Sequence, residues 1–121
     1  MRQKIVAGNW KMNLDINQGK TLLSEILDSN INKDILTIIA PPTIHLNSFN
    51  QMLSHTSISI AAQNCHQQDA GAYTGEISAG MLKSVGVEYV ILGHSERREY
   101  FMEDSLSLSF KVMNCRRGYN C

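Results

Sequence analysis

The segment "ILGHSERREYF", residues 91–101, decides the fold because it joins the end of an apolar run to the start of a charged turn. The apolar run predicts a short strand over Tyr89–Gly93, and the residues from Ser95 onward predict a short helical turn. A buried strand that leads directly into a helix is the repeating unit of a parallel sheet. His94 lies at the junction of the two, where such sheets bind ligands.

Three further runs of the same kind precede this segment. They predict strands at Lys4–Gly8, Ile35–Ala40 and Ile58–Ala62. Each run is short and almost continuously apolar, which is typical of a strand covered on both faces rather than of one that alternates. The chain is therefore predicted to be an α/β protein with a parallel sheet.

Helical spacing of apolar residues separates the predicted strands. Two stripes at i, i+3 and i+4 predict the first two helices: Leu22, Leu23, Ile26 and Leu27, then Leu46, Phe49, Met52 and Leu53. Thr43 is the expected N-cap of the second helix. A third helix is predicted from Ser78 to Val85, ended by Gly86. The last segment fits either a strand of period two or a helix; a helix capped by Asp104 or Ser105 and ended by Gly118 is favoured.

Composition narrows the class of protein. The chain has 121 residues, the size of one domain, and its 11 basic and 11 acidic residues cancel. We therefore expect no nucleic-acid or membrane partner and a cytoplasmic protein, because neither a basic excess nor a long apolar segment is present. The cysteines, Cys65, Cys115 and Cys121, are an odd number without metal-ligand spacing and are expected to be reduced thiols, with no metal site.

Two strand ends carry the candidate chemistry. Asn9 and Lys11 follow the first strand, and a lysine there is suited to a phosphate or a developing enolate oxygen. His94 follows the fourth strand; if Ser95 caps the turn behind it, the helix N-terminus disfavours the imidazolium and leaves a neutral hydrogen-bond donor. Glu96 is expected to pair with Lys11 if both line one opening.

The connection over residues 63–77, "QNCHQQDAGAYTGEI", is unusually long for a βα loop. Two interpretations remain open, a floppy surface insert and a loop that docks on a ligand or a partner. Tyr73 and Thr74 near its tip favour docking. Local patterns also leave open whether the sheet is doubly wound or a closed barrel, whereas a dinucleotide-binding domain is disfavoured because "GNWKMN" lacks paired glycines.

Three motifs together resemble the triosephosphate isomerase family: "GNWKMN" at 8–13, "GAYTGEIS" at 71–78 and "ILGHSERREYF" at 91–101, in that order. The resemblance implies a (β/α)8 barrel, a cofactor-free interconversion of dihydroxyacetone phosphate and glyceraldehyde 3-phosphate through an enediolate, and a homodimer. In that family the pKa of the matching histidine is lowered, so the neutral imidazole polarises the carbonyl of the substrate.

The resemblance also assigns roles residue by residue. It implies that Asn9 and Lys11 bind substrate and that His94 polarises the carbonyl. It implies supporting roles for Ser95, Glu96, Arg98 and Glu103, with Arg98 and Glu103 in a structural charge network, and it places Thr74 at the tip of a loop that enters the neighbouring subunit.

The chain departs from the family in extent. Residues 1–121 are expected to form one partial barrel of about four βα units, ending before the general-base glutamate and the later phosphate loops, because a complete barrel takes about 250 residues. Such a half-barrel is expected to expose its sheet edges. The alternative to an isomerase is a non-catalytic remnant, or a half-barrel that binds phosphate or a partner.

Overall fold

The computed structural model describes residues 2–117. Within them, four strands form one parallel sheet: β1 (Ile5–Asn9), β2 (Leu36–Ala40), β3 (Ile58–Ala62) and β4 (Tyr89–Val90). The helices are α1 (Ile16–Asp28), α2 (Leu46–Met52), α3 (Ala79–Ser84), α4 (Ser95–Tyr100) and α5 (Ser105–Arg116), with a 3₁₀ turn at Thr43–His45. All four predicted strands are present, and α5 confirms the helical interpretation of the last segment. Its predicted stop, Gly118, lies outside the described residues.

The strands follow one another across the sheet in chain order, β1-β2-β3-β4, and each pairs in parallel with the next. Ile5 lies opposite Leu36, and Thr37 lies opposite Ile58. The order contains no reversal of the kind that creates the binding crevice of a doubly wound sheet. Of the two architectures that the sequence left open, this succession is that of a (β/α) barrel.

The sheet separates two apolar clusters of different size. The larger lies under the helices, where Leu23 of α1, Phe49 of α2 and Leu82 of α3 are almost fully buried against Ile60 and the other strand residues of that face. The smaller is formed on the opposite face by Ile38, Ala40 and Ala61. Both faces of β2 and β3 are therefore covered, as their continuous apolar sequences predict.

The first strand differs from the two central ones. Ile5 and Val6 are each 58% exposed, although they are strongly apolar. Within residues 2–117, β1 pairs on one side only, with β2. The exposed edge expected of a half-barrel is therefore found at β1.

Local capping explains where several helices begin and end. Asp15 caps α1 in a capping box with Gln18. The expected Thr43 cap is wrong: Thr43 is the first residue of the 3₁₀ turn, and α2 then begins without a side-chain cap because the preceding turn leads directly into it. At the end of α3, Gly86 adopts φ +80° and its N–H donates to the Lys83 carbonyl, so the predicted glycine stop is confirmed.

The two cysteines within the described residues, Cys65 and Cys115, are buried, with their sulfurs 3.1 Å apart. That distance is a thiol–thiol contact, longer than the roughly 2.05 Å of a disulfide bond. The third cysteine, Cys121, lies outside the described residues. A membrane span requires a long apolar helix, and no helix within residues 2–117 meets that requirement.

Candidate active site

A cavity of about 400 Å³ opens at the carboxyl ends of the parallel strands. Residues that follow β1, β3 and β4 line it together, among them Asn9, Lys11, Gln63, Asn64, His94 and Glu96. The carboxyl ends of parallel strands meet at one edge of a sheet, which is where barrel proteins hold their ligands. Topology therefore brings the two predicted groups of polar residues into one site.

Lys11 and Glu96 form an ion pair across this cavity. Lys11 Nζ lies 2.7 Å from Glu96 Oε1, and both side chains are about half exposed, at 54% and 41%. The hydrogen bond between them raises the pKa of Lys11 and lowers the pKa of Glu96 from their ordinary values. Both groups are charged at neutral pH, so the cavity presents an ammonium group that an anionic ligand can reach.

His94 is held by the helix that follows it. Its ring Nδ1 accepts a hydrogen bond from the backbone N–H of Glu96 at 3.2 Å. In the tautomer that accepts this bond, the proton of the ring lies on Nε2. The same Nδ1 lies 3.6 Å from Glu96 Oε2. The ring of His94 also caps α4, which corrects the expectation that Ser95 is the cap: Ser95 is already the first helical residue.

Asn9 is the last residue of β1, and its side chain turns back toward the chain that follows. Asn9 Oδ1 accepts a hydrogen bond from the backbone N–H of Lys11 at 2.9 Å. Lys11 itself has φ +56°, a left-handed conformation that is rare for residues other than glycine. Strained backbone of this kind clusters at functional sites.

An aromatic cluster fixes the rest of the β1 loop. Trp10 packs edge-on against Phe49 of α2 at 5.4 Å between ring centroids, and His45 stacks on the same ring at 4.9 Å. His45 is fully buried and donates from Nε2 to the Leu14 carbonyl at 3.0 Å. Gly19 of α1 makes room for it, since a Cβ there would lie 2.7 Å from the imidazole Cε1.

A charge network around Glu103 lies behind the cavity. Glu103 Oε2 accepts from Arg97 Nε at 3.0 Å and from Lys111 Nζ at 2.7 Å. Arg98, on the same helix, donates from Nε to the Gly93 carbonyl at 3.0 Å. Consecutive helical residues point about 100° apart, and on α4 the Arg97 direction faces Glu103.

Burial and charge have opposite effects on Glu103. Its side chain is only 4% exposed, and burial on its own raises the pKa of a carboxyl group. The hydrogen bonds from Lys111 and Arg97 outweigh that effect, so the pKa of Glu103 is lowered. Lys111 also donates to Asn64 Oδ1 at 2.9 Å, which links α5 to the residues that follow β3.

The long loop over residues 63–77 is closed by its own contacts. The His66 N–H donates to the Ile77 carbonyl at 2.8 Å, and the rings of His66 and Tyr73 lie 4.5 Å apart. These contacts do not fit the floppy-insert interpretation. Thr74 is exposed at the tip of the loop and is not among the residues that line the cavity.

Sequence reasoning missed several residues of this region. Gln63 and Asn64 directly follow β3, the same position relative to a strand that singled out Asn9, so that signal was available. The partners of Glu103 gave a weaker signal: Arg97 belonged to a charge cluster, and nothing in the sequence marked Lys111 as buried. Within residues 2–117, no group of three His, Cys, Asp or Glu side chains is placed to hold a metal ion.

The fold and the cavity define a (β/α)-barrel protein with its binding groups at the carboxyl ends of the strands. The family model for triosephosphate isomerase matches residues 4–118. The chain belongs to the triosephosphate isomerase family.

Curated relatives agree with this assignment. The chain is similar to proteins named triosephosphate isomerase from Flavobacterium psychrophilum (54% identical over 113 residues), Cytophaga hutchinsonii (47% over 115) and Clostridium novyi (46% over 114). Each match covers 93% of this chain and 45% of the relative. The chain therefore spans about half the length of the curated relatives that it matches.

Proposed function

We propose that these residues supply the electrophilic half of a triosephosphate isomerase site, which interconverts dihydroxyacetone phosphate and D-glyceraldehyde 3-phosphate. The observation that carries the proposal is the cavity that gathers Asn9, Lys11 and His94 at one sheet edge. The reaction belongs to glycolysis and gluconeogenesis, and we place it in the cytoplasm. Residues 1–121 are proposed to act as one partial barrel domain.

The geometry supports a definite role for each group. In the tautomer whose Nδ1 accepts from the Glu96 N–H, the Nε2–H of His94 can donate to the carbonyl oxygen while a base removes the proton from the adjacent carbon. The Lys11 ammonium opposes the negative charge that develops on the enediolate oxygens. Asn9 holds the Lys11 backbone and adds a side-chain amide to the same cavity wall.

The general base must be a further carboxylate. The acidic residues that line the described cavity are Glu76 and Glu96. Glu96 is already paired with Lys11, and its lowered pKa makes it a weak base. Glu76 Oε2 lies 3.7 Å from His66 Nδ1 in the long loop. We therefore propose that the 121-residue chain binds a phosphorylated triose but turns it over slowly on its own.

A fusion protein tests the isomerase proposal. Residues 1–117 are joined to the part of the Flavobacterium psychrophilum relative that follows its matched segment, and turnover of glyceraldehyde 3-phosphate is measured. We expect isomerase activity that His94→Asn lowers by about 100-fold, because one donor to a developing oxyanion is lost. His55→Asn is the matched control, since His55 is exposed and lines a different hollow.

Two results decide between the proposal and its alternative. Activity that is independent of His94 would contradict the assigned role. A folded fusion that binds glycerol 3-phosphate without any turnover would instead identify a non-catalytic phosphate-binding barrel.

We further propose that the protein forms a homodimer through the loop over residues 63–77. The loop holds its own shape and exposes Thr74 and the 45% exposed ring of Tyr73. Exposed apolar side chains surround the cavity opening, with Met12 95% and Phe101 65% exposed. In a symmetric pair, the loop of each copy would dock on the apolar rim around the cavity of the other copy, because each chain offers both surfaces.

Sedimentation of the same fusion protein tests the dimer. We expect a dimer at micromolar concentration and a monomer for Thr74→Arg, since a charged side chain at the loop tip opposes docking. Gln68→Arg, which places the same charge on an exposed loop position away from the tip, is the control. A wild-type fusion that sediments as a monomer would exclude the proposed interface.

A further inference from the structure

The backbone of Lys11 is held on both sides by side-chain amides. Its left-handed conformation, φ +56°, is unfavourable for a residue other than glycine, because Cβ comes too close to the following carbonyl oxygen. The Lys11 N–H donates to Asn9 Oδ1 at 2.9 Å, and the Lys11 carbonyl accepts from Gln63 Nε2 at 2.9 Å. The two hydrogen bonds hold the N–H and the carbonyl of Lys11 in this conformation and so oppose the backbone strain.

Gln63 contributes both of its amide hydrogens to this arrangement. The second N–H of Gln63 Nε2 donates to the Ala40 carbonyl at 2.8 Å. Both partners are backbone carbonyls, which only accept, so the orientation of the amide group is determined by its surroundings. The Ala40 carbonyl also accepts from the N–H of Trp10 at 3.0 Å. One side chain at the end of β3 therefore joins the end of β2 to the loop that follows β1.

The direction of the Lys11 side chain depends on that backbone. A side chain leaves its Cα in a direction set by φ and ψ, and the Lys11 ammonium reaches Glu96 at 2.7 Å from a left-handed residue. If Lys11 relaxed to negative φ, the ammonium would leave the position opposite Glu96. Gln63 lines the same cavity, so it is close enough to the site for this constraint to act directly.

We propose that Gln63 is the positioning residue of Lys11: its amide fixes the strained Lys11 backbone and thereby places the ammonium opposite Glu96 before a ligand binds. This proposal rests on the proposed function in one respect: the proposed function assigns substrate binding to Lys11. The hydrogen bonds that carry it belong to the chain itself. Gln63 is predicted to act through Lys11 and not by contact with the substrate.

Titration of Glu96 in the 121-residue chain, followed by carboxyl ¹³C NMR, tests this role without any need for turnover. The test variant is Gln63→Met, which keeps the length of the side chain and removes both donors. Lys11→Met gives the pKa of Glu96 with its partner removed. Gln51→Met makes the same substitution at an exposed position of α2, away from the cavity.

We expect Gln63→Met to raise the pKa of Glu96 toward the value found in Lys11→Met, and Gln51→Met to leave it unchanged. Gln63→Glu, whose carboxylate faces the same two carbonyls without donors, is the second variant and is expected to act in the same direction. An unchanged Glu96 titration in a folded Gln63 variant would overturn the proposal. So would unfolding of both variants, since Gln63 would then stabilise the sheet as a whole.

The outcome is independent of the isomerase test. Failure of the fusion protein to turn over its substrate leaves the Glu96 titration intact, because that titration reports only the Lys11–Glu96 pair. An unchanged titration together with an active fusion would remove the role of Gln63 and keep the function.

Discussion

Two ion pairs in this protein, one in the cavity and one behind it, have the same geometry but different surroundings. Lys11 and Glu96 meet in the cavity with about half of each side chain exposed, whereas Lys111 and Glu103 meet behind it with 8% and 4% exposed. Both pairs have the same 2.7 Å separation between nitrogen and oxygen. Distance alone therefore does not say what an ion pair contributes.

The solvent exposure of an ion pair decides how much the pair contributes to stability. An exposed pair gains little stability because water and salt screen it, so its charges remain available to a ligand. A buried pair is already desolvated, and removing one partner leaves the other charge buried with fewer groups to compensate it. In this protein the exposed pair is suited to binding, and the buried pair to holding α4 and α5 against the residues that follow β3.

Lys111→Met gives the largest effect in this comparison. It leaves the Glu103 carboxylate buried with Arg97 as its remaining cationic partner, and we expect a loss of about 1.5–3 kcal/mol in the free energy of unfolding, the contribution of a hydrogen bond to a charged group. Urea unfolding followed by circular dichroism measures it. Lys20→Met, on the exposed surface of α1, is the matched control and is expected to change stability by less than about 0.5 kcal/mol.

A double variant separates charge from packing. Lys111→Met combined with Glu103→Leu removes both buried charges, and we expect it to recover much of the loss, because the remaining ion, Arg97, is 29% exposed and stays hydrated. If Lys111→Met alone cost no more than Lys20→Met, the pair would behave as a solvated one, and the contrast with Lys11 and Glu96 would disappear.

The sequence predicted the elements better than the contacts between them. The apolar runs at Ile35–Ala40 and Ile58–Ala62 indicated covered parallel strands because burial on both faces is a property of each strand by itself. The order of the strands could not be read from those runs, since doubly wound sheets and barrels share the same local pattern. Family motifs supplied that information.

In the candidate site, too, the residues were easier to predict from the sequence than the contacts between them. Asn9, Lys11 and His94 were found from their positions after strands, and the structure brings them to one cavity. The resemblance placed Arg98 and Glu103 in one charge network without naming a partner for Glu103. Arg97 makes that contact, and choosing between adjacent residues requires the rotation of α4. The hydrogen bond that holds the Lys11 carbonyl comes from Gln63, 52 positions away, and no local sequence pattern predicts such a contact.

The acid dependence of stability gives a smaller effect than Lys111→Met and sharpens the same comparison. The folded-state pKa of Glu103 lies below its ordinary value of 4.5 because Lys111 and Arg97 bond its ionised form. The unfolded chain therefore binds more protons in this range. The stability from Glu103 is complete above pH 4.5 and is lost as the pH falls through the folded-state pKa.

Urea unfolding at a series of pH values and two salt concentrations separates the buried carboxylate from the exposed one. Glu96 also has a lowered pKa, but its pair with Lys11 is about half exposed, and an exposed pair contributes little to stability and still less at high salt. In 1 M NaCl we expect Glu96→Gln to follow the wild-type acid slope, and Glu103→Gln to flatten it at both salt concentrations. Protonation leaves the shape and packing of the Glu103 side chain in place, so the acid loss is expected to be smaller than that from Lys111→Met. Equal slopes for Glu103→Gln and the wild type would mean that the buried pair contributes no more to the acid dependence than the exposed pair does.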